Sequence, residues 1–524
     1  MVVQLTPVEA AKWIEDGDSV LLGGFIGAVV PEAIESALGD RYAQTQSPKD
    51  LTLLFAAGQG DGKSRAINHL AQQGLVKRAI GGHWGLVPKL QQLAVDNLIE
   101  AYNLPQGIIS HLLRDTAAGK PGTISKVGLG TFVDPRIEGG KVNAVTEKDL
   151  VQVIELAGEE YLFYHKLPVS VAILRGTTAD ENGNITMEDE CLIAESLAAA
   201  QAARNSGGRV IVQVKQVVKS GSLDPHAVKI PGIFVDAIVV CPKPEQHMQT
   251  FATMMNPEFV GRGIALSDNV TNTEESKAPD AKTIIARRAA MELIPNSILN
   301  LGIGAPEYIA QVARQAAVLE QFTLTVEPGA VGGEPQSGLD FGASRLPQAI
   351  ISQDQMFDFY DGGGVDQAFL GLAQCDSQGD INVSRFGSKI AGCGGFINIT
   401  QNAKNVYFCG TFTARGLHVR GVDGALEIVS EGQQHKFIEQ VEQITFSSLQ
   451  ANKQRQPVMY ITERAVFKLQ PYGLELIEIA PGVDLERDVI CQMEFVPIIS
   501  PSLKLMDKKL FNNQFDLTLT TNVM

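Results

Sequence analysis

What the chain lacks narrows its possible roles first. It has no long apolar run: the longest, Val20 to Val30, is 11 residues with three glycines. A bilayer crossing takes ~20 residues, so no transmembrane helix is expected. The opening residues, 1–18, have neither the basic and apolar regions of a secretory signal nor the acid-poor composition of a transit peptide, which points to the cytoplasm. Cys191, Cys241, Cys375, Cys393, Cys409 and Cys491 are scattered and form no CxxC. Neither a disulfide framework nor a metal site is therefore expected. Basic excess is missing too. The 43 Lys and Arg against 59 Asp and Glu leave a net charge of −16, which argues against nucleic-acid and membrane-surface partners.

What is present is glycine and apolar surface. Of 524 residues, 51 are Gly and 44% are apolar, while only 19% are charged, below the ~25% usual for soluble domains. Large interiors and tight backbone turns follow. The length allows roughly three to four ordinary domains or two large ones.

Self-comparison favours two. Ser19 to Glu32 matches Ser297 to Glu307, each an apolar strand, a glycine loop and a helix opening at Pro-Glu. Val169 to Ile185 matches Val365 to Ile381 at a constant offset of 196, including Asp180/Asp376 and Gly183/Gly379. Apolar β-branched runs such as Arg209 to Val214 and Asn405 to Cys409 read as strands of sheets covered on both faces. The expected fold is α/β: two homologous open α/β halves with largely parallel sheets, related by a pseudo-twofold. Residues 1–267 form the N-terminal half, the polar stretch 268–282 a linker, and 283–524 the C-terminal half. The cleft between such halves, at the carboxyl ends of strands, is the expected active site.

Two segments could carry chemistry. Phe322 to Val326 alternates as a strand and runs into Glu327-Pro328-Gly329-Ala330, a type II turn pattern with Pro second and Gly third. Glu327 then stands at the end of a buried strand, on a turn whose glycines leave the backbone open. Gly362 to Gly364 and Gly392 to Gly395 are glycine clusters without a dinucleotide or phosphate-loop pattern. Their amides could face a developing oxyanion.

Taken with other motifs, these residues resemble the family I coenzyme A-transferases whose two halves are fused. The likeness is to acetate, propionate and other short-chain acyl-CoA transferases, and more distantly to succinyl-CoA:3-ketoacid CoA-transferase. It rests on Gly23-Gly24-Phe25 with Gly27 and Pro31-Glu32, on Leu104 to Gly107, on Glu327-Pro328-Gly329, on Gly392 to Gly395 and on Ile461 to Phe467. One departure stands out: Ala56 to Gly62, with Gly58 and Gln59, replaces the Asn-Asn pair of the 3-ketoacid enzymes.

The resemblance implies that Glu327 attacks an acyl-CoA to give an acyl-glutamyl anhydride, then a glutamyl-CoA thioester, in ping-pong exchange with a carboxylate. Gln106 would reach Glu327 across the cleft, and the Gly394 and Gly395 amides would hold an oxyanion. Gly24, Phe25, Gly27, Gly58, Gln59, Gly329, Gly363, Gly392 and Lys389 would line the CoA and substrate site. Lys63, Arg65, Arg385 and Arg415 are further positions for a basic rim. Acyl-CoA and small carboxylates are the implied partners, coenzyme A being a substrate with no separate cofactor, and a homodimer or homotetramer is implied. An acyl-CoA hydrolase and a non-catalytic metabolite sensor remain open on the same scaffold. Glu181-Asn182-Gly183 imitates the catalytic motif, but its repeat partner is Ser377-Gln378-Gly379, so it reads as a hairpin. His83, His111 and His165 lack metal spacing and read as structural.

Overall fold

The structure is a computed structural model and describes residues 2–263 and 278–519. Most of the expected linker, 268–277, lies outside the described residues. Its last residues lead into a helix, Ala281–Ala290, which Asp280 caps through its side chain.

The chain forms two compact units that do not follow the linker. The first comprises Met1–Gly263, Val326–Phe359 and Arg385–Asn398; the second comprises the segments between and after them. Glu327 and Gly392 to Gly395 thus belong to the first unit, although they lie in the second half of the sequence.

The first unit is built on eight parallel strands. In chain order these are β1 (Val3–Leu5), β2 (Ser19–Leu22), β3 (Leu51–Phe55), β4 (Val76–Gly81), β5 (Glu100–Asn103), β6 (Val171–Arg175), β7 (Arg209–Val214) and β8 (Ala237–Val240). Across the sheet they run β1-β8-β7-β6-β2-β3-β4-β5. Their apolar runs are continuous because both faces are buried. Val20 and Leu22 enter one core cluster and Leu21 the other; Ile211 and its neighbours Val210 and Val212 divide the same way. Ile390 from the later segment packs into one cluster, and Cys393 and Ile397 into the other.

The second unit carries its own mostly parallel sheet. Its strands are β9 (Ile298–Leu301), β10 (Thr323–Thr325), β11 (Gln367–Gly371), β12 (Asn405–Cys409), β13 (Val458–Ile461), β14 (Ala465–Gln470), β15 (Gly473–Ile479) and β16 (Ile498–Leu505). They follow the order β10-β9-β11-β12-β13-β14-β15-β16, with β14 antiparallel to both neighbours. The motif Ile461 to Phe467 is core here: Arg464 is fully buried and pairs with Glu463 at 2.7 Å and Glu431 at 2.6 Å.

The α/β fold class with largely parallel sheets is as expected, and the internal repeat has a structural counterpart. β6 and β11 begin and end at corresponding repeat positions. Each is followed by a hairpin turn in which Asp180 or Asp376 accepts two backbone N–H bonds. Glu181 sits on the first of these turns, a structural hairpin. The helices Glu32–Thr45 and Glu307–Gln315 both start after a proline at the N-cap.

Candidate active site

Four adjacent strands of the first unit, β2, β3, β4 and β5, deliver their carboxyl-end loops to one rim. This is where parallel α/β sheets bind ligands. The loop after β2 contains Gly24, Phe25 and Gly27. Ile26 N–H donates to Gly58 O at 2.7 Å, and Gly60 N–H donates back to Ile26 O at 2.8 Å, joining it to the loop after β3. Ile26 and Val29 hold φ values of +54° and +58°, conformations costly for β-branched residues and kept only where packing enforces them. Gln59 is fully buried and its amide donates to Leu22 O at 2.7 Å, so it braces the loop.

The loop after β4 is Gly82-His83-Trp84-Gly85, and that after β5 is Leu104-Pro105-Gln106. Asn103 ties them together, donating to Gly82 O at 2.6 Å and accepting from Cys393 N–H at 2.9 Å. The segment Ala391–Gly395 is laid against both. Trp84 N–H donates to Ala391 O at 2.7 Å, Gly394 N–H to Gly82 O at 2.7 Å, and Gln106 N–H to Gly394 O at 2.9 Å. The Gly394 amide is thereby spent on the backbone. Gly395 directly precedes the helix Phe396–Asn402, where first-turn amides lack helical acceptors.

Glu327 is half-buried on a turn one residue earlier than the sequence pattern implies. Gly329 N–H donates to Val326 O at 3.0 Å, so Glu327 and Pro328 are the central residues and Gly329 closes the turn. Gly329 has φ +124°, and a Cβ there would overlap Ile351 O, whose residue donates its N–H to Gly329 O at 2.9 Å. The glycine expected at this position is required there, and the contact with Ile351 O adds a second reason for it. Val326 and Ala330, on either side of Glu327, share one apolar cluster with Phe25, Ile26, Val29 and Ala57. The Glu-Pro-Gly turn, the Gly-Gly-Phe loop and the loop after β3 therefore surround one dry region.

Gln106 opens the helix Gln106–Ala117 and is buried. Its side chain donates to Gln353 Oε1 at 3.0 Å, and Gln353 in turn donates to Ser110 Oγ at 2.8 Å and Glu195 Oε2 at 2.9 Å. Burial raises the Glu195 pKa to about 8, so this carboxyl is protonated at neutral pH. Gln353, Ser110 and Glu195 carried no local signal. A Gln or Glu inside a helical stretch looks like a solvated face until the fold buries it.

Other expected residues fall elsewhere. Gly363 belongs to the second unit, where its N–H donates to Tyr360 O just beyond the helix Gln353–Asp361. Lys389 is exposed on the hairpin Arg385–Phe386/Lys389–Ile390. Arg65 lies 5.0 Å over the Phe251 ring, and Lys63 is exposed. Among the described residues no cluster of His, Cys, Asp or Glu could hold a metal ion, and no helix is long and apolar enough to cross a membrane.

A parallel α/β sheet whose carboxyl-end glycine loops share an apolar cluster with the flanks of a half-buried glutamate fits the class of α/β enzymes that bind small ligands at that rim. The particular family follows from likeness across the chain. The coenzyme A transferase family model matches residues 5–241. The acetate CoA-transferase YdiF of Escherichia coli K12 is 43% identical over 508 residues, covering 97% of this chain and 94% of that protein. The caffeate CoA-transferase of Acetobacterium woodii is 45% identical over 516 residues, covering 97% of both. The crystal structure of the YdiF acyl-CoA transferase apoenzyme from E. coli O157:H7 matches with a TM-score of 0.92 at 42% identity, over 99% of this chain and 98% of that one. Its thioester complex with CoA matches with a TM-score of 0.92 at 41% identity, with the same coverage. This chain belongs to the family I coenzyme A-transferases, and it moves coenzyme A between an acyl-CoA and a carboxylate.

Proposed function

We propose that Glu327 is the covalent carrier, in a ping-pong exchange between short-chain acyl-CoA and a small carboxylate such as acetate. The Glu327 carboxylate adds to the thioester carbonyl and expels CoA thiolate, leaving an acyl-glutamyl anhydride. The thiolate then attacks the glutamyl carbonyl, forming glutamyl-CoA and releasing the acyl group as a carboxylate. An incoming carboxylate runs both steps in reverse. A carboxylate is a weak nucleophile in water, so it must be desolvated and positioned. The observation that carries this reading is the apolar cluster holding both flanks of Glu327 against the Gly-Gly-Phe loop. A dry wall of this kind also protects the anhydride from water.

Gly395 is the backbone donor this reading assigns to an oxyanion, such a donor being worth about 3 kcal/mol. Gln106 acts as an orienter through Gln353. The acetate and thioester chemistry draws support from relatives described as an acetate CoA-transferase and a thioester complex with CoA. A cytoplasmic homodimer or homotetramer, and two homologous halves at 1–267 and 283–524, complete the proposal; the paired β6 and β11 repeats support the latter.

Incubation with acyl-CoA alone, followed by borohydride reduction and peptide mass analysis, should show Glu327 modified. Glu327→Gln should bind acyl-CoA yet lose exchange by more than about a thousandfold. An unmodified Glu327, or an active variant, would overturn the assignment.

A further inference from the structure

His83 sits in the middle of the loops just described, at the carboxyl end of β4. Its ring makes no hydrogen bond or ion pair with any described residue. His69, His111 and His247 of the same unit each have a carboxylate or carbonyl partner. His165 Nε2 is buried without a partner, whereas the half-buried His83 ring keeps its nitrogens within reach of solvent or a ligand.

Glycines from two loops make room for the ring, and a third lies against its backbone. A Cβ on Gly58 would overlap His83 Nδ1, one on Gly85 would lie 2.8 Å from Cε1, and one on Gly392 would lie 2.9 Å from His83 Cα. A Cβ on Gly394 would instead stand 3.7 Å from Gln106 Oε1 and 3.9 Å from His83 Cβ and Cδ2. Those are ordinary van der Waals distances, and two polar side chains, Gln106 and His83, border the position. His83 is half-buried, so its ring faces a solvent-reachable space. Ala57 and Leu86, which flank the glycine loops, pack in the apolar cluster that also holds Val326 and Ala330 beside Glu327.

Charge state matters here. Desolvation lowers the His83 pKa to about 4, so at neutral pH the ring is uncharged, with one N–H donor and one lone pair unspent. An imidazolium would pair with a nucleophilic carboxylate and blunt it. A neutral ring offers a hydrogen bond without that cost.

We infer that His83 is a substrate-contacting residue, whose ring N–H donates to a carboxylate oxygen of the acid that enters or leaves during CoA exchange. This rests on the reading of Glu327 as the carrier and adds to it the group that holds the second substrate. The bond orients the carboxylate for attack on glutamyl-CoA and leaves the CoA moiety untouched.

The test compares wild type, His83→Ala and His83→Asn in initial-rate assays with acetyl-CoA and two acceptors, propionate and butyrate. His83→Ala should lower kcat/KM for the carboxylates by roughly tenfold to a hundredfold, with KM for acyl-CoA changed less than about twofold. His83→Asn, which retains an N–H donor, should recover part of that loss. Wild-type kcat/KM for every acceptor in a folded His83→Ala protein would overturn the inference. So would equal losses for acyl-CoA and carboxylate with no rescue by Asn. Should His83→Ala fail to fold, the acceptor and acyl-CoA constants of His83→Asn decide between the same outcomes. Borohydride trapping in wild type is read separately: an unlabelled Glu327 strikes the carrier assignment, whereas an acceptor-selective loss still reports on His83.

Discussion

Glu195 shows how one buried side chain can set a pH response. Its Oε2 accepts from Gln353, its Oε1 has no partner, and burial holds its pKa near 8. Between about pH 4.5 and 8 the folded protein keeps a proton that the unfolded chain has released. This contribution to stability is therefore full below pH 4.5 and is lost as pH rises towards 8, by up to about 1.4 kcal/mol per pH unit. Glu195→Gln mimics the protonated form and should flatten that decline, leaving the variant more stable than wild type at pH 8.5. Urea unfolding of both proteins at pH 6 and 8.5 measures the difference.

At the scale of an element, the Val326–Gly329 turn carries the strongest constraint. Gly329→Ala would place a methyl against Ile351 O in a backbone conformation that L-residues avoid. About 1–3 kcal/mol of strain is expected, and the turn bearing Glu327 must shift. Turnover should fall by roughly tenfold to a hundredfold, because a displacement of about 1 Å has that effect on a positioned nucleophile. Steady-state kinetics beside a thermal melt will show activity falling further than stability. The sequence pointed to Glu327, to the strands β7 and β12 and to the hairpin at Glu181 through local patterns: β-branched runs, Pro-Gly and Asp-x-x-Gly. It misplaced the turn register by one residue, and it did not show the contact with Ile351, 22 positions beyond Gly329, that also requires glycine there. From the sequence His83 reads as a structural histidine. Gly82-His83-Trp84-Gly85 follows an apolar strand, but the absence of a hydrogen-bond partner is a property of the folded loops.

Over the whole molecule, buried Arg–carboxylate groups hold both units: Arg175–Glu190 in the first, Arg288–Glu478 and Arg464–Glu463 in the second. The first group is linked to acid stability. Burial works against the Glu190 charge, yet Arg175 and His247 hold its pKa at about 2; burial first and Arg175 second lower His247 to about 4. His247 stays neutral in the fold between about pH 4 and 6.5, where an unfolded imidazole takes up a proton, so its share of stability is lost as pH falls through that window. Glu190 adds a further loss as pH falls from about 4.5 towards 2. His247→Gln should lose less stability than wild type between pH 6.5 and 4, as read from urea midpoints. The Arg288–Glu478 pair of the second unit was hidden in sequence because its partners lie 190 positions apart along the chain.

The interleaved make-up of the first unit has a consequence for biosynthesis. Ile390, Cys393 and Ile397 plug clusters otherwise formed by residues made much earlier. A nascent chain stopped at Gly263 leaves those seats empty and its glycine loops without the strap that Asn103 and Gly82 grip. The first unit has its full core only once residues up to 398 have been made, so the earlier half depends on the later one to complete its packing.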